Sequence, residues 1–210
     1  MELKEPGSLI RDIAKDKYNN LWIAYDDAGL IRIDPDRKKQ QYFSPEFSGL
    51  SNNKVYSLLI QNDHLWVGTN SGLNKFDILK NRVSEQFFEE DGLSNNIIYS
   101  LYADNNNNIW ISTNKGISFF NTKDREFINF LPGDYFMDDA HFQSEKGEIF
   151  YGGYTGVISF LPKEIEMFDG EAYPVIESFA LNGSIVHKGD TIDGKVLLKT
   201  EMLVITWNQT

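Results

Sequence analysis

The nine residues at 65–73, LWVGTNSGL, are written again at fixed distances on either side, and this periodicity constrains the fold more than any local pattern does. Upstream stands LWIAYDDAGL (21–30) and downstream IWISTNKGI (109–117), so that Trp22, Trp66 and Trp110 are spaced 44 residues apart. A more divergent copy, IFYGGYTGV (149–157), carries Phe150 in the tryptophan place after 40 residues. A period of this length belongs to an array in which one supersecondary unit buries its apolar surface against the next.

Each unit opens on a short apolar run, LIRDIA (9–14), VYSLLI (55–60) and IIYSLYA (97–103). These runs are apolar on nearly both faces, so each first strand is expected to be buried on both sides. A polar turn rich in Asn, Asp and Lys then leads into the tryptophan strand as a hairpin. Two places beyond each ring, on the same face, the residue is small: Ala24, Gly68, Ser112 and, after Phe150, Gly152. A large ring beside a small residue lets one sheet stack closely on the next. An aligned glycine follows, Gly29, Gly72, Gly116 and Gly156, where a tight hairpin needs positive φ. Third strands (LIRID, LNKFD, ISFFN, VISFL) and short aromatic fourth strands (QQYF, SEQFF, EFINF) complete the unit. GLSNN, at 49–53 and again at 92–96, joins one unit to the next.

Four-stranded antiparallel sheets repeated every 44 or so residues and stacked face to face are the blades of a β-propeller. Helical repeats of similar period are disfavoured by the valine, isoleucine, aromatic and glycine content at strand-length spacing. The expected fold is therefore all-β: a partial propeller of about four blades over residues 1–162, then a linker and the first strands of an incomplete β-sandwich over 163–210. In that second stretch Asn182-Gly183 marks a hairpin turn, and VLLKTEMLVITW (196–207) supplies two further strand-like runs. An arc of about four blades leaves two apolar faces bare, which predicts self-association, a homodimer being the simplest form.

A formal charge of −11 opposes binding to nucleic acid or anionic lipid. The absence of cysteine excludes disulfides and thiolate metal sites. The start, MELKEPGSLI, has no signal-peptide core, and no apolar run approaches the length of a membrane span, so no membrane contact is expected of these residues.

The segment GLSNNIIYSLYADNNNNIWISTNKGISFFN (92–121) closely resembles the two-component regulator propeller repeat, and the passage from GGYTGVISFLPKEI to PVIESFALNGSIV resembles the last blade leading into a Y_Y_Y β-sandwich. That resemblance implies a periplasmic sensor region of a hybrid two-component system from Bacteroidetes. Such a region detects oligosaccharides and relays the signal through an inner-membrane anchored parent to a histidine kinase that controls transcription. It also implies rings of about seven blades, so the chain reads as the C-terminal arc of one. The departures are Phe150 in the tryptophan place, the extra residue at Asp26 and Asp27, and the short sandwich.

Trp22, Trp66, Trp110 and Phe150 could stack on sugar rings, but their spacing beside small residues reads as blade packing, with the four aligned glycines as its turns. In an up-and-down blade the loop from strand two to three and the loop entering the next blade emerge on one rim. Asn52, Asn53, Asn70, Asn95, Asn96, Asn114 and Tyr154 are the ligand candidates there, against the alternative that Asn is an ordinary turn former. The run 104–108, DNNNN, lacks the glycine and glutamate of an EF-hand loop, having Ile109 and Lys115 in those places. His64, His141 and His187 are scattered, and the run 89–91 reads as a wet acidic edge. No metal, cofactor or catalytic residue is expected, and an enzymatic propeller (a lyase or hydrolase) or a protein-binding scaffold are the alternatives to a sensor.

Overall fold

The computed structural model describes residues 9–130, 136–154 and 156–165 in full, together with the backbone of short strands at 178–181, 184–187, 191–192 and 195–196. Three four-stranded antiparallel sheets and one of three strands follow each other along the chain, each in plain up-and-down order. Blade one comprises β1 (Ile10–Lys15), β2 (Leu21–Tyr25), β3 (Leu30–Ile33) and β4 (Gln40–Phe43). A single helical turn, α1 (Pro45–Ser48), leads into blade two: β5 (Val55–Gln61), β6 (His64–Thr69), β7 (Gly72–Asp77) and β8 (Arg82–Phe87). Blade three is β9 (Ile98–Ala103), β10 (Ile109–Thr113), β11 (Gly116–Asn121) and β12 (Glu126–Phe130). Blade four is β13 (Phe136–Gln143), β14 (Ile149–Gly153) and β15 (Gly156–Phe160), with no fourth strand among the described residues. The first strands β1, β5, β9 and β13 lie side by side, each against the next, as inner strands around a common axis do.

The tryptophan pattern has the purpose its spacing implies. Trp22 joins Leu65, Val67 and Phe76 of blade two in one core, Trp66 joins Ile109, Ile111 and Phe120 of blade three, and Trp110 joins Ile149 and Tyr151 of blade four. Each indole thus points forward into the following blade. It meets one ring of its own outer strand, Phe43, Phe87 or Phe130, with centroids 5.4, 6.1 and 5.5 Å away. It meets another ring from the third strand of the next blade, Phe76, Phe120 or Phe160, at 5.3, 5.7 and 4.7 Å. Truncating a ring held this way costs about 3–5 kcal/mol. The small residue two places on makes room for the next inner strand: a Cβ on Gly68 would stand 2.7 Å from Cγ2 of Ile98.

The polar hairpins close on their own side chains. The Asp16 carboxylate accepts the backbone N–H groups of Tyr18 and Asn20 and the Trp22 indole N–H, each at 2.9 Å. Asp104 holds the 104–108 turn the same way, accepting from Asn106 and Asn108 at 2.8 and 2.9 Å.

Four expectations need correction. Only β5 and β9 approach burial on both faces. On β1, Ile10 and Ile13 are 43% and 57% exposed, and β13 is largely exposed, because an inner strand is covered only where a blade stands on each side of it. Phe150 is half-buried rather than a core ring, since no blade among the described residues lies in front of it. The backward face of blade one is only partly bare: Ile23, Tyr25, Ile31 and Ile33 are each 2–4% exposed and form their own cluster, while Ile13 and Ile10 of β1, paired with Ile23 and Tyr25, stay exposed. The acidic run at 89–91 is not simply a wet edge. Glu89 accepts from Asn95 Nδ2 at 2.8 Å and from the Asn96 N–H at 3.1 Å, and Asp91 accepts the Phe88 N–H at 2.9 Å.

Past blade four, β16 (Ser178–Leu181) pairs with β17 (Ser184–His187) as the hairpin expected around 182–183, and β18 (Thr191–Ile192) pairs with β19 (Lys195–Val196). The linker and the strand-like runs expected at 196–207 fall largely outside the described residues.

Candidate functional site

One rim of the arc is assembled by the same two backbone hydrogen bonds in successive blades. The Gly29 N–H donates to the Asn53 carbonyl at 2.8 Å, and the Gly72 N–H to the Asn96 carbonyl at 2.7 Å. The loop between strands two and three is thereby tied to the connector entering the next blade, as the up-and-down order requires. Glycine is needed at both turns. Their φ angles are 73° and 102°, and a Cβ would run into the Phe43 carbonyl at Gly29 and come within 2.8 Å of the Phe87 carbonyl at Gly72. Gly116 and Gly156 share the positive φ, at 117° and 140°.

The residue just past each second strand also recurs. The backbone N–H groups of Asp26, Asn70 and Asn114 donate to the carbonyls of Leu9, Lys54 and Ile97 at 2.9, 3.0 and 3.1 Å. Their side chains then face the second residue of the inner strand. Arg11 binds Asp26 at 2.7 Å, the Tyr56 hydroxyl donates to Asn70 Oδ1 at 3.3 Å, and the Tyr99 hydroxyl donates to Asn114 Oδ1 at 3.1 Å. Three blades therefore present one pair each: an ion pair, then two phenol–amide pairs. Blade four places Tyr154 at the corresponding turn, 81% exposed.

The pairs are linked into a row. Tyr56 and Tyr99 meet edge to face with centroids 5.3 Å apart, while Arg11 and Lys54 lie over the Tyr56 ring at 5.5 and 5.3 Å. Lys54 also reaches Asp26 at 3.4 Å, and Arg11 reaches Asp138 of blade four at 3.1 Å and Asp139 at 3.5 Å. Burial works against the charge on Arg11, yet the three carboxylates prevail and its proton is held more tightly than usual. Burial likewise opposes ionisation of Asp26, but Arg11 and Lys54 hold its carboxyl below the usual carboxylate range. Burial, with Tyr56, Asp138 and Tyr154 nearby, pushes the Tyr99 hydroxyl up. Each cation of the row already has a carboxylate, whereas the amide nitrogens of Asn70 and Asn114 have no partner among the described residues.

The seven sequence candidates divide accordingly. Asn70, Asn114 and Tyr154 stand in the row. Asn52 accepts the Lys54 N–H at 2.8 Å, Asn95 accepts the Ile97 N–H at 3.1 Å, and Asn53 and Asn96 are tied to the glycine turns, so these four shape the connectors. Arg11, Asp26, Lys54, Tyr56, Tyr99 and Asp138 were not among the candidates. The period could have found two of them: Tyr56 and Tyr99 hold the same place in VYS and IYS, runs read only for their apolar character. Away from the rim, His141 Nδ1 sits 2.7 Å from the Tyr102 hydroxyl between blades three and four, and the described residues contain no group of three or more metal-ligating side chains.

Comparison with known proteins follows the same lines. The family described as two-component regulator propeller matches residues 49–71 and 92–115, the two connector-to-turn stretches that build this rim. Histidine kinase P4 of Formosa agariphila is 29% identical over 84% of this chain. The extracellular domain of a one-component system from B. thetaiotaomicron superposes with a TM-score of 0.64 and 25% identity over 78% of the chain. That of a hybrid two-component system from the same organism gives 0.62 and 21% over 74%. The chain spans 17% of the kinase and 24% and 22% of the two solved chains. In its repeats and its blade architecture, the chain is similar to the two-component regulator propellers.

Proposed function

We propose that these residues are part of the extracytoplasmic, periplasmic sensor region of a membrane-anchored two-component signalling protein, and that the rim binds a neutral oligosaccharide. The observation that carries this reading is the repeated pair at the second inner-strand residue and the second-strand turn. It sets phenol hydroxyls, amide donors without a partner among the described residues, and the exposed Tyr154 ring in one row on a rigid scaffold. Sugars are bound by such sets of planar polar groups beside aromatic surface. Arg11 and Lys54 already have carboxylate partners and the chain carries −11, which disfavours anionic glycans. The row is a binding surface and not a reaction centre, since its polar groups hold each other in the same way from blade to blade. Occupancy would be relayed to a histidine kinase elsewhere in the parent and so to transcription.

The test is thermal unfolding of the chain against a panel of neutral and uronic-acid oligosaccharides, with Asn114→Ala and Tyr154→Ala variants. A neutral oligosaccharide should raise the melting temperature by mass action, and both variants should reduce that shift. A panel in which no sugar shifts the wild type, or in which the variants respond as the wild type does, overturns the reading.

A further inference from the structure

Blades one and two carry the same trio of side chains at their forward seams, but only one trio contains a carboxylate. Opposite Trp66 on β7 stands Lys75, and opposite Lys75 on β8 stands Glu85. Lys75 lies over the Trp66 ring at 5.5 Å and binds Glu85 at 3.1 Å. Arg125, in the turn before β12 of blade three, binds the other Glu85 oxygen at 2.6 Å. In blade one the same positions read Arg32, opposite Trp22, and Gln41, opposite Arg32. Asn81 of blade two takes the Arg125 place, both residues closing their turns at positive φ, 56° and 63°. Arg32 lies over the Trp22 and Phe43 rings at 5.5 and 5.8 Å. It donates from Nη1 to Asn81 Oδ1 and from Nη2 to Gln41 Oε1, both at 2.6 Å. A negative charge between two cations in one seam is thus replaced in the other by two neutral amides around one cation.

The geometry points to a site for a small carboxylate in the seam of blades one and two, with the Arg32 guanidinium as its charge and the Gln41 and Asn81 amides as its flanks. A guanidinium only donates, so both amides turn their oxygens to it and keep their own N–H groups for another acceptor. Those two amide nitrogens have no partner among the described residues, and neither do the remaining guanidinium N–H groups. Burial works against the Arg32 charge. Asp16, the carboxylate that supports this charge, is already filled by the backbone N–H groups of Tyr18 and Asn20, the Asn20 amide and the Trp22 indole. The local field favours an anion, since the hairpin at 32–41, RIDPDRKKQQ, carries four cations against two carboxylates in a chain of net charge −11. Arg32 is half-buried and Gln41 exposed, so the site opens to solvent on the Gln41 side. A planar carboxylate accepts two N–H groups at once from such a fork. The site lies toward the rim where the turns after β3 and β7 emerge, opposite the row at Tyr56 and Tyr99, and is independent of the sugar reading.

Titration of the chain with sodium acetate, against sodium chloride at equal ionic strength, tests this through the NMR resonance of the Arg32 Nε–H group. Acetate should shift that resonance to saturation, and chloride should not. Gln41→Glu changes an exposed side chain for one of the same size and restores the carboxylate that blade two has at Glu85. Asn81→Asp places a carboxylate on Nη1 instead, at a φ that aspartate tolerates. Each should weaken acetate binding by about tenfold or more, as loss of a hydrogen bond to a charged group does. Gln40→Glu adds the same charge one residue away on the opposite face of β4 and should bind acetate as the wild type does. A wild-type resonance that follows acetate and chloride alike overturns the site. Gln41→Glu and Asn81→Asp chains that bind as the wild type overturn it by placing acetate elsewhere. A Gln40→Glu chain that loses binding equally overturns it by leaving only net charge at work.

Discussion

The Asp12 carboxylate of blade one accepts the backbone N–H of Leu58 in blade two at 2.7 Å, so the inner strands of neighbouring blades are joined by a hydrogen bond as well as by apolar packing. One blade on, the Leu101 N–H donates to Ser57 Oγ at 3.0 Å from the corresponding place. Removing such an acceptor leaves a largely buried N–H without a partner, which costs about 1–3 kcal/mol. Asp12→Ala should therefore lower the unfolding free energy by about that amount, with Asp12→Asn recovering most of it, as read from urea denaturation. Equal stabilities of wild type and Asp12→Ala would show that the bond between inner strands contributes nothing.

Gly68 offers a second, purely steric test. A methyl group there meets Cγ2 of Ile98, which is fully buried, so Gly68→Ala should destabilise the chain by about 1–3 kcal/mol through overpacking between blades two and three. Ile98→Ala leaves a cavity at the same point. The double variant should then be more stable than the sum of the two single costs, with a coupling of about 1 kcal/mol or more. Strict additivity in denaturant melts would separate the two positions.

Much of this architecture was legible in the sequence because blade packing is a contact between like units. A residue that touches its own counterpart's neighbours must recur, and Trp22, Trp66 and Trp110 do. Burial of β1 was not legible, since the same apolar run is covered or bare according to what stands beside it. Half of the rim was legible in the turn residues Asn70 and Asn114. The other half was hidden because Tyr56 and Tyr99 lie in apolar strand runs, where a tyrosine reads as core until its hydroxyl is seen to reach the turn. Arg11 and Asp26 were harder still, as they replace the phenol–amide pair by an ion pair and so break the pattern at its first occurrence.

The three tryptophans are equivalent in packing but not in hydrogen bonding. Trp22 donates its indole N–H to Asp16 and Trp66 donates to Gln61 Oε1, both at 2.9 Å, whereas Trp110 Nε1 is buried without a partner among the described residues. Replacement by phenylalanine removes a similar amount of ring in each blade. It also takes away a hydrogen bond to a carboxylate in blade one, worth about 1.5–3 kcal/mol, and only an unsatisfied donor in blade three. Trp22→Phe should consequently cost more than Trp110→Phe by about 1–2 kcal/mol in denaturant melts. The reverse order would mean that ring volume decides both.

His141 sets a pH dependence whose sign follows from its surroundings. Burial favours the neutral imidazole and outweighs the charges of Asp12, Asp139 and Asp138, so the folded chain holds His141 below its ordinary pKa. The Tyr102 hydroxyl, pushed up to about 12 chiefly by burial, stays protonated and is hydrogen-bonded to Nδ1 of the ring. With its folded pKa depressed, this group contributes stability in full above the unfolded pKa of roughly 6.5. That contribution is lost as pH falls through that value toward the folded one, because the unfolded chain takes up the proton first. Asp12 acts in the opposite sense. Burial raises its folded pKa above the ordinary carboxylate value, so its protonation in the folded chain adds stability as pH falls through the acid range. Unfolding free energies measured between neutral and mildly acidic pH should fall for the wild type and fall less for His141→Gln, whose side-chain amide can still hydrogen-bond to Tyr102. Asp12→Asn should steepen the loss at the acid end. If His141→Gln followed the wild-type curve throughout, the histidine would be titrating alike in both states and its burial between the blades would have no energetic consequence.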